Sequence, residues 1–224
     1  MNVFLFDIDG TLIDAGGAGQ AAMEASLAEE FGATTPVTGI STAGRTDRAI
    51  AMDLFRFHDI EVNDAHWSRY LKSYFRLLPH SLQKRSGVVL PGVHGLLEQL
   101  SQRNDVQLGL LTGNFAEGAQ LKLAHYGLAD HFEFGGFGDE YLDRDDVARD
   151  AFRTVRTRLP DIEPHHVWVI GDTPSDIRCG RAIGAKVLAV GTGMFPAHEL
   201  EQHRPDVFLN DLRDAETWLR AVGF

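Results

Sequence analysis

Two spacings of hydrophobic side chains divide the chain into a helical stretch and an alternating stretch. Between positions 20 and 78, apolar residues recur at every third or fourth position, as on the packed face of a helix. Beyond the turn Leu90-Pro91-Gly92, short apolar runs alternate with helical patterns instead. Together with an amino-terminal run, they predict strands at residues 3–6, 106–111, 167–170, 207–209 and within 186–193, and a weak strand near 132–137.

Strands that alternate with helices at this spacing are typical of an α/β fold. They predict a parallel sheet with helices on both faces, a Rossmann-like three-layer core. No convincing strand is found between residues 15 and 88, so this region is expected to form an inserted, all-helical subdomain. The expected division is therefore residues 1–14 and 89–224 for the α/β core and 15–88 for the insertion.

The segment VFLFDIDGTLI, residues 3–13, carries the first candidate chemistry. Its apolar start predicts a buried parallel strand, and Asp7 and Asp9 follow at its carboxyl end. Residues two apart in an extended segment point the same way, so both carboxylates can face one site. Such carboxylates repel each other unless a proton or a cation lies between them, and Mg²⁺ prefers oxygen ligands. The alternative is a plain hairpin, since Asp-Gly between apolar residues is a common turn.

Polar residues also follow two further predicted strands. Thr112, Gly113 and Asn114 come after one strand, and Asp172 and Asp176 come after another. In an open parallel sheet, ligands bind at the carboxyl ends of the strands, so these sets are expected to meet in one crevice. A hairpin at the first strand would explain neither of the other two sets. For the two late aspartates, loop solvation and helix capping are the alternative interpretation.

Composition restricts the class of partner. Acidic residues outnumber basic ones by 32 to 21, giving a net charge of −11. This balance argues against nucleic acids and anionic membranes, which need a basic surface. No apolar run reaches membrane-spanning length, and the chain is expected to be cytoplasmic. Cys179 is the single cysteine and is expected to be a small packing residue. Nothing in the sequence separates a monomer from a dimer.

These motifs resemble the haloacid dehalogenase superfamily of phosphohydrolases along nearly the whole chain. The first family motif stands here as DIDGT, the second as LLTGN and the fourth as GDTPSD. The segments LPGV, residues 90–93, and GRTD, residues 44–47, are similar to the phosphoglycolate phosphatase branch. The family's helical cap is inserted after the first strand, where the helical pattern lies in this chain.

The resemblance implies a role for each residue at the strand ends. Asp7 would be the nucleophile that attacks phosphorus and forms an aspartyl-phosphate. Asp9 would be the general acid for the leaving oxygen and then the general base for water. Thr112 and the backbone amides of Gly113 and Asn114 would hold the phosphoryl oxygens.

The resemblance also implies Mg²⁺ as the cofactor. Its expected ligands are the side chains of Asp7 and Asp172 and the backbone carbonyl of Asp9. Asp176 is expected to orient this metal site without binding the ion directly. The cation would separate the charge of the nucleophile from that of the phosphate.

The third family motif is where this chain departs from the pattern. The family usually has a lysine there, but the matching segment reads DEYLDRDD. Arg144 is the preferred candidate for the missing cation, although an arginine fork is not equivalent to a lysine point charge. Lys122 is the other candidate for this cation. Alternatively, Lys122 is an ordinary solvated lysine on the surface of its helix. Arg45 and Asp47 are expected either to close over the substrate in a cap loop or simply to begin a helix.

The expected activity is hydrolysis of a small phosphorylated metabolite, similar to phosphoglycolate, with Mg²⁺. A sugar phosphomutase of the β-phosphoglucomutase type would use the same acids. A haloacid dehalogenase would need neither the metal nor Asp9, and a non-catalytic binding protein would not need an intact set of acids. The shape of the helical subdomain would decide the substrate, and the sequence does not determine that shape.

Overall fold

A computed structural model describes residues 1–221 and 223 of the chain. Apolar runs of the kind that fill the interior of a parallel sheet form the main strands. The strands are β1 (Asn2–Phe6), β2 (Ile13–Asp14), β3 (Val88–Val89), β4 (Val106–Leu111), β5 (Gly135–Gly136), β6 (Val167–Gly171), β7 (Lys186–Val190) and β8 (Val207–Leu209). The helices are α1 (Ala18–Phe31), α2 (Asp47–Phe57), α3 (Asp64–Lys84), α4 (Val93–Ser101), α5 (Ala116–His125), α6 (Arg144–Arg158), α7 (Pro174–Ala182), α8 (Ala197–Gln202) and α9 (Ala215–Ala221).

The central sheet has the strand order β5-β4-β1-β6-β7-β8, and every neighbouring pair is parallel. Strand β1 lies in the interior, where Phe6 is opposite Leu110 on one side and Ile170 on the other. The hairpin alternative for residues 3–13 is therefore wrong. Because the strands are parallel, the polar residues that follow β1, β4 and β6 emerge at the same edge of the sheet.

Alternate side chains of β1 enter two separate apolar layers. Phe4 and Phe6 belong to a cluster on one face, where Phe4 makes an edge contact with Trp218 of α9. Val3 and Leu5 belong to the cluster on the other face, together with side chains of α6 and α7. Both clusters are buried, so the predicted three-layer α/β core is confirmed.

Helices α1, α2 and α3 lie between β2 and β3 in the chain, and we call residues 15–87 the helical segment. The two short strands that flank it pair antiparallel, with Ile13 opposite Val89. Tyr70 and Tyr74 of α3 are fully buried, and Tyr74 makes an edge contact with Phe115 of the α/β part. The exact division of the chain at residues 15 and 88 stays a prediction.

Smaller elements differ from the sequence-based expectation at their ends. The weak strand near 132–137 has only the two residues of β5, because it pairs with β4 over Leu110 and Leu111 alone. A 3-10 turn over Leu212–Asp214 directly precedes α9. Within the described residues, no helix has the length and apolar character needed to cross a membrane.

Candidate active site

Three carboxylates converge at the carboxyl edge of the sheet. Asp7 follows β1, Asp172 follows β6, and Asp176 lies in the first turn of α7. Ligand oxygens of these three side chains all lie within 4.8 Å of one another, and all three residues are buried. This is a concentration of negative charge that folding alone would not favour, because burial and mutual repulsion both penalise the ionised forms.

Arg144 supplies the positive charge that is closest to this cluster. Its Nη2 donates to Asp176 Oδ1 at 2.5 Å and to the carbonyl of Leu111 at 3.1 Å. The same nitrogen lies 3.3 Å from Asp7 Oδ1, yet no hydrogen bond from a described residue reaches that buried oxygen. One guanidinium therefore faces three carboxylates, and an oxygen of Asp7 is left for another partner.

The pKa values of the cluster reflect this excess of negative charge. Burial raises the pKa of Asp7 to about 7, and repulsion from Asp176 and Asp9 adds to this effect. The attraction of Arg144 lowers the pKa, but it is weaker than the other effects together. Burial, with repulsion from Asp176 and Asp7, raises the pKa of Asp172 well above its ordinary value. A divalent cation with oxygen ligands would relieve both effects, so the donor set fits a metal such as Mg²⁺.

The carboxylate of Asp176 is held firmly by its own helix. Its Oδ2 accepts from the backbone N–H of Thr173 at 3.0 Å and from the hydroxyl of Thr173 at 2.7 Å. The Thr173 hydroxyl in turn accepts from the N–H of Asp176, which completes a capping box at the start of α7. Both oxygens of Asp176 are thus engaged, one by Thr173 and the other by Arg144.

Asp172 is positioned by two residues that follow β1, Gly10 and Thr11. The hydroxyl of Thr11 donates to Asp172 Oδ1 at 3.0 Å. Gly10 has a φ of +87°, and a Cβ there would lie 2.4 Å from Asp172 Oδ2. Only glycine satisfies both the left-handed backbone and this close approach, which explains the Asp-Gly step of DIDGT.

Asp9 lies beside a different cation. Lys122 of α5 donates to Asp9 Oδ2 at 2.5 Å, and the side-chain amide of Asn114 donates to the same oxygen at 2.9 Å. The Lys122 side chain is only 5 % exposed, so the interpretation as a solvated helix lysine is wrong. Its burial was not predictable from α5 alone, because the residues that cover it come from other parts of the chain.

The helical segment reaches this part of the site through Asp47. Asp47 Oδ2 accepts from the N–H of Phe115 at 3.0 Å, just before α5 begins. The N–H of Asp47 donates to the carbonyl of Gly113 at 2.7 Å. A Cβ at Gly113 would lie 2.0 Å from the carbonyl oxygen of Arg45, so this close approach requires glycine. The sequence segments GRTD and LLTGN therefore pack directly against each other.

Burial raises the pKa of Asp47 to about 6, although the attraction of Lys122 and the bond from Phe115 work in the opposite direction. Burial by itself would lower the pKa of Lys122. The attraction of Asp9 and Asp47 is stronger than this effect, so the pKa of Lys122 is raised. The ammonium group is therefore charged and lies under the influence of one carboxylate from the core and one from the helical segment.

A cavity of about 500 Å³ opens between the strand ends and the helical segment. Asp7, Asp9 and Asp172 line one end of it, and Lys122 and Arg144 also contribute to its wall. This volume suits a small metabolite.

The comparisons with known proteins agree with this arrangement. The family described as haloacid dehalogenase-like hydrolase matches residues 4–190, which is most of the chain. The chain belongs to the haloacid dehalogenase-like hydrolases. The predicted family is confirmed, and with it the predicted class of enzyme, a phosphatase of this family.

Individual relatives have low sequence identity to this hydrolase but align with most of its length. The pyrophosphatase PpaX of Oceanobacillus iheyensis is 23% identical over 97% of this chain and 96% of its own length. A phosphoglycolate phosphatase of Aquifex aeolicus is 28% identical over 83% of each chain. A crystal structure of a hydrolase from Pseudomonas syringae shares the fold, with a TM-score of 0.75 and 21% identity over 100% of both chains.

Two predicted phosphate-binding groups of the hydrolase make bonds to each other. The hydroxyl of Thr112 accepts from the backbone N–H of Asn114 at 3.3 Å and from its side-chain amide at 3.0 Å. Thr112 itself is fully buried. In the structure, therefore, the amide of Asn114 faces Thr112, while the Oδ1 atom of Asn114 is buried without a hydrogen bond from any described residue.

Arg45 also lines the cavity, but its guanidinium is engaged by its own segment. Its Nη2 donates to Asp53 Oδ2 at 2.7 Å, and its Nη1 donates to the carbonyl of Ser41 at 3.1 Å. The neighbouring Thr46 caps α2 by accepting from the N–H of Ala49. The expected helix start is thus present, and Arg45 lies at the cavity wall as well.

The loop after β7 also contacts the carboxylate cluster, although none of the predicted site residues lies in it. The hydroxyl of Thr192 donates to the carbonyl of Gly10 at 2.6 Å. A Cβ at Gly193 would lie 1.7 Å from Asp172 Oδ2. The sequence did contain a signal for this loop, because Gly191-Thr192-Gly193 lies at the end of a predicted parallel strand.

Cys179 is buried, as expected for a packing residue, and burial raises the pKa of its thiol to about 12.

Proposed function

We propose that this hydrolase is a Mg²⁺-dependent phosphatase that acts on a small phosphate monoester of about the size of phosphoglycolate. The observation that carries the proposal is the buried cluster of Asp7, Asp172 and Asp176, which a single arginine balances only in part. Such a cluster suits a divalent cation and a phosphate that bind together. The names of two relatives, a pyrophosphatase and a phosphoglycolate phosphatase, support phosphate chemistry.

In the proposed reaction, Asp7 is the nucleophile. A carboxylate oxygen of Asp7 attacks phosphorus while the bond to the ester oxygen breaks, which gives an aspartyl-phosphate and the free alcohol. Water then attacks phosphorus, the bond to Asp7 breaks, and inorganic phosphate leaves. The support for this assignment is that Asp7 Oδ1 is buried at the cavity and has no hydrogen-bond partner among the described residues.

Asp9 is the proposed proton donor and acceptor. It would give a proton to the departing ester oxygen and later take one from the attacking water. Its Oδ2 is held by Lys122 and Asn114, whereas its Oδ1 accepts no hydrogen bond from any described residue and is left for the substrate. Two fixed bonds to one oxygen orient the carboxyl group towards the cavity.

Mg²⁺ would be held by the side chains of Asp7 and Asp172 and by the carbonyl of Asp9. When bound, it would neutralise charge on the transferring phosphoryl group. Asp176, whose two oxygens already bind Thr173 and Arg144, would keep the surrounding side chains in place. Arg144 is the proposed cation in place of the family's usual lysine.

The proposed phosphoryl-binding groups are Thr112 and the backbone amides of Gly113 and Asn114. In the structure, the amide of Asn114 donates to Thr112, so it would have to exchange this bond for a phosphoryl oxygen. Residues 15–88 are the proposed cap, which would exclude bulk water during the reaction. Its contact through Asp47 and Gly113 supports this role.

Phosphate release from a panel of small phosphate esters tests the proposed function. The wild-type enzyme should turn over at least one ester with Mg²⁺ and none with EDTA, and Asp7→Asn should abolish turnover. Asp150→Asn makes the same chemical change in a half-buried residue of α6 that does not line the cavity, and it should leave turnover intact. Turnover that survives Asp7→Asn would overturn the mechanism, and no release from any ester would overturn the phosphatase assignment.

A further inference from the structure

Every basic side chain that lines the cavity is already paired with a carboxylate. Arg144 is 2.5 Å from Asp176, and Lys122 is 2.5 Å from Asp9. Arg45, the basic residue that the helical segment contributes to the wall, is 2.7 Å from Asp53. Among the described residues that line the cavity, these three cations stand against five acids, Asp7, Asp9, Asp14, Asp47 and Asp172.

Two of the three cations, Arg144 and Lys122, are each surrounded by carboxylates of the protein itself. Arg144 belongs to the carboxylate cluster where the phosphoryl group would bind, so it is not available to the leaving group. Lys122 lies between Asp9 and Asp47, two carboxylates that raise its pKa. The positive charge in both places is therefore matched or exceeded by negative charge from the protein itself.

Arg45 is the strongest candidate for binding a second anionic group, and its donors are largely occupied. Nη1 donates to the carbonyl of Ser41, and Nη2 donates to Asp53 and, at 3.4 Å, to the carbonyl of Ala49. Arg85 lies near the rim at Gly17, and its Nη1 donates to the carbonyl of Gly16 at 2.9 Å.

The rest of the wall that the helical segment contributes is neutral or negative. Ala18, Met23 and Ile50 present apolar surface, and Gln20 donates its side-chain amide to Glu24. Asp47 adds a carboxylate to the same wall. An anionic group that entered here would lose its hydration and meet no uncommitted cation, which is strongly unfavourable.

We propose, on the basis of the phosphatase function inferred above, that the leaving group of the natural substrate carries no negative charge. The substrate class is then the phosphate ester of a small alcohol or amino alcohol. An ester whose leaving group bears a carboxylate or a second phosphate is excluded by the charge of the wall. This distinguishes the chain from relatives named for phosphoglycolate, whose leaving group is a carboxylate-bearing alcohol.

Three esters of matched size test this proposal. They are 2-hydroxyethyl phosphate, O-phosphoethanolamine and phosphoglycolate, whose leaving groups are neutral, cationic and anionic. We expect kcat/KM to be at least about tenfold higher for the better of the first two than for phosphoglycolate, because an unpaired charge in a desolvated site is disfavoured by an amount of that order. Equal or better turnover of phosphoglycolate would overturn the proposal while leaving the phosphatase function established.

The variant Asp53→Asn tests the cause of the preference. It removes the partner of Arg45 at a half-buried position of α2 and frees the guanidinium for the substrate. We expect kcat/KM for phosphoglycolate relative to 2-hydroxyethyl phosphate to rise by about three- to tenfold. Asp150→Asn is the matched control, since it removes the acid of another Asp–Arg pair far along the chain in α6.

The two variants separate a local effect from a general one. An equal change in the ratio for Asp53→Asn and Asp150→Asn, or no change in either, would overturn the assignment of Arg45 as a committed cation. Failure of the proposed function itself has a different signature, because the wild-type enzyme would then release phosphate from none of the three esters.

Discussion

Arg144 and Lys122 are both buried basic residues that line the cavity, but their surroundings differ. Arg144 is surrounded by carboxylates that all belong to the α/β part, and Asp7 and Asp176 raise its pKa against the effect of burial. Lys122 lies between Asp9 of the α/β part and Asp47 of the helical segment. The first cation thus stabilises one cluster, and the second connects two parts of the chain.

The difference indicates two separate tasks. Around Arg144, three carboxylates exceed one guanidinium, so further positive charge from a proton or a metal ion would stabilise the cluster. Around Lys122, the charges are closer to balance, and the geometry fixes the orientation of Asp9 instead. If the two cations have separate tasks, substitutions around Arg144 and around Lys122 should have different consequences.

Removing the proposed nucleophile, Asp7, should have the largest effect. We expect Asp7→Asn to lower kcat by about 10³-fold or more, because an amide cannot form the acyl phosphate. Thermal stability should not fall, since the substitution removes a buried charge whose pKa burial raises to about 7. Phosphate release and thermal unfolding measure the two quantities. A fold-change in kcat below about ten would contradict the assignment of Asp7.

Metal removal tests the charge excess around Arg144 without any assay of activity. We expect Mg²⁺ to raise the melting temperature of the wild-type protein, because a ligand at one hundred times its dissociation constant adds about 2.7 kcal/mol to the free energy of unfolding. Asp172→Asn should lose most of this Mg²⁺ effect, whereas Asp150→Asn should keep it. A melting temperature that does not respond to Mg²⁺ in the wild type would show that the cluster holds no such ion.

Lys122→Met tests whether this lysine positions Asp9 or binds phosphate. If it positions the acid, kcat/KM should fall by about 10²-fold for an alkyl phosphate, which needs a proton on its leaving oxygen. For p-nitrophenyl phosphate the fall should be much smaller, because nitrophenolate leaves without a proton. Lys122→Arg, which keeps the charge, should recover part of the activity. Equal losses for both esters would instead assign Lys122 to the phosphoryl group.

The smallest effect is expected at Asp47 and depends on pH. Burial raises the pKa of Asp47 in the folded protein to about 6, so the folded protein holds this proton more tightly than the unfolded chain. The free energy of unfolding therefore falls as the pH rises between about 4 and 6. Asp47→Asn removes this pH-dependent loss of stability. The side-chain amide oxygen of the variant can still accept the hydrogen bond from the N–H of Phe115. We expect the variant to be more stable than wild type by about 1–3 kcal/mol at pH 8.

Denaturant unfolding at pH 4 and pH 8 measures this difference. The advantage of Asp47→Asn should shrink towards the lower pH, where wild-type Asp47 is protonated in the folded protein. A variant that is less stable than wild type at pH 8 would mean that the attraction between Asp47 and Lys122 outweighs the cost of burying the carboxylate.

Local sequence patterns were sufficient for the main strands of the sheet and for the polar residues that follow β1, β4 and β6. The strand from Val106 to Leu111 has the predicted ends, because a run of apolar residues bounded by polar ones specifies a buried strand. Since parallel strands share one carboxyl edge, the meeting of Asp7 with Asp172 also followed from the order of elements. These features depend on neighbours along the chain and on the general geometry of sheets.

The partners of the two cations were decided only by the tertiary structure. Lys122 on its helix is indistinguishable from a solvated lysine until Asp9 and Asp47, from distant parts of the chain, are placed beside it. The role of Thr192 and Gly193 likewise depends on the approach of their loop to Gly10 and Asp172. Periodicity determines which side chains face inward, whereas charge pairing depends on distances of a few ångströms between segments that the sequence does not relate.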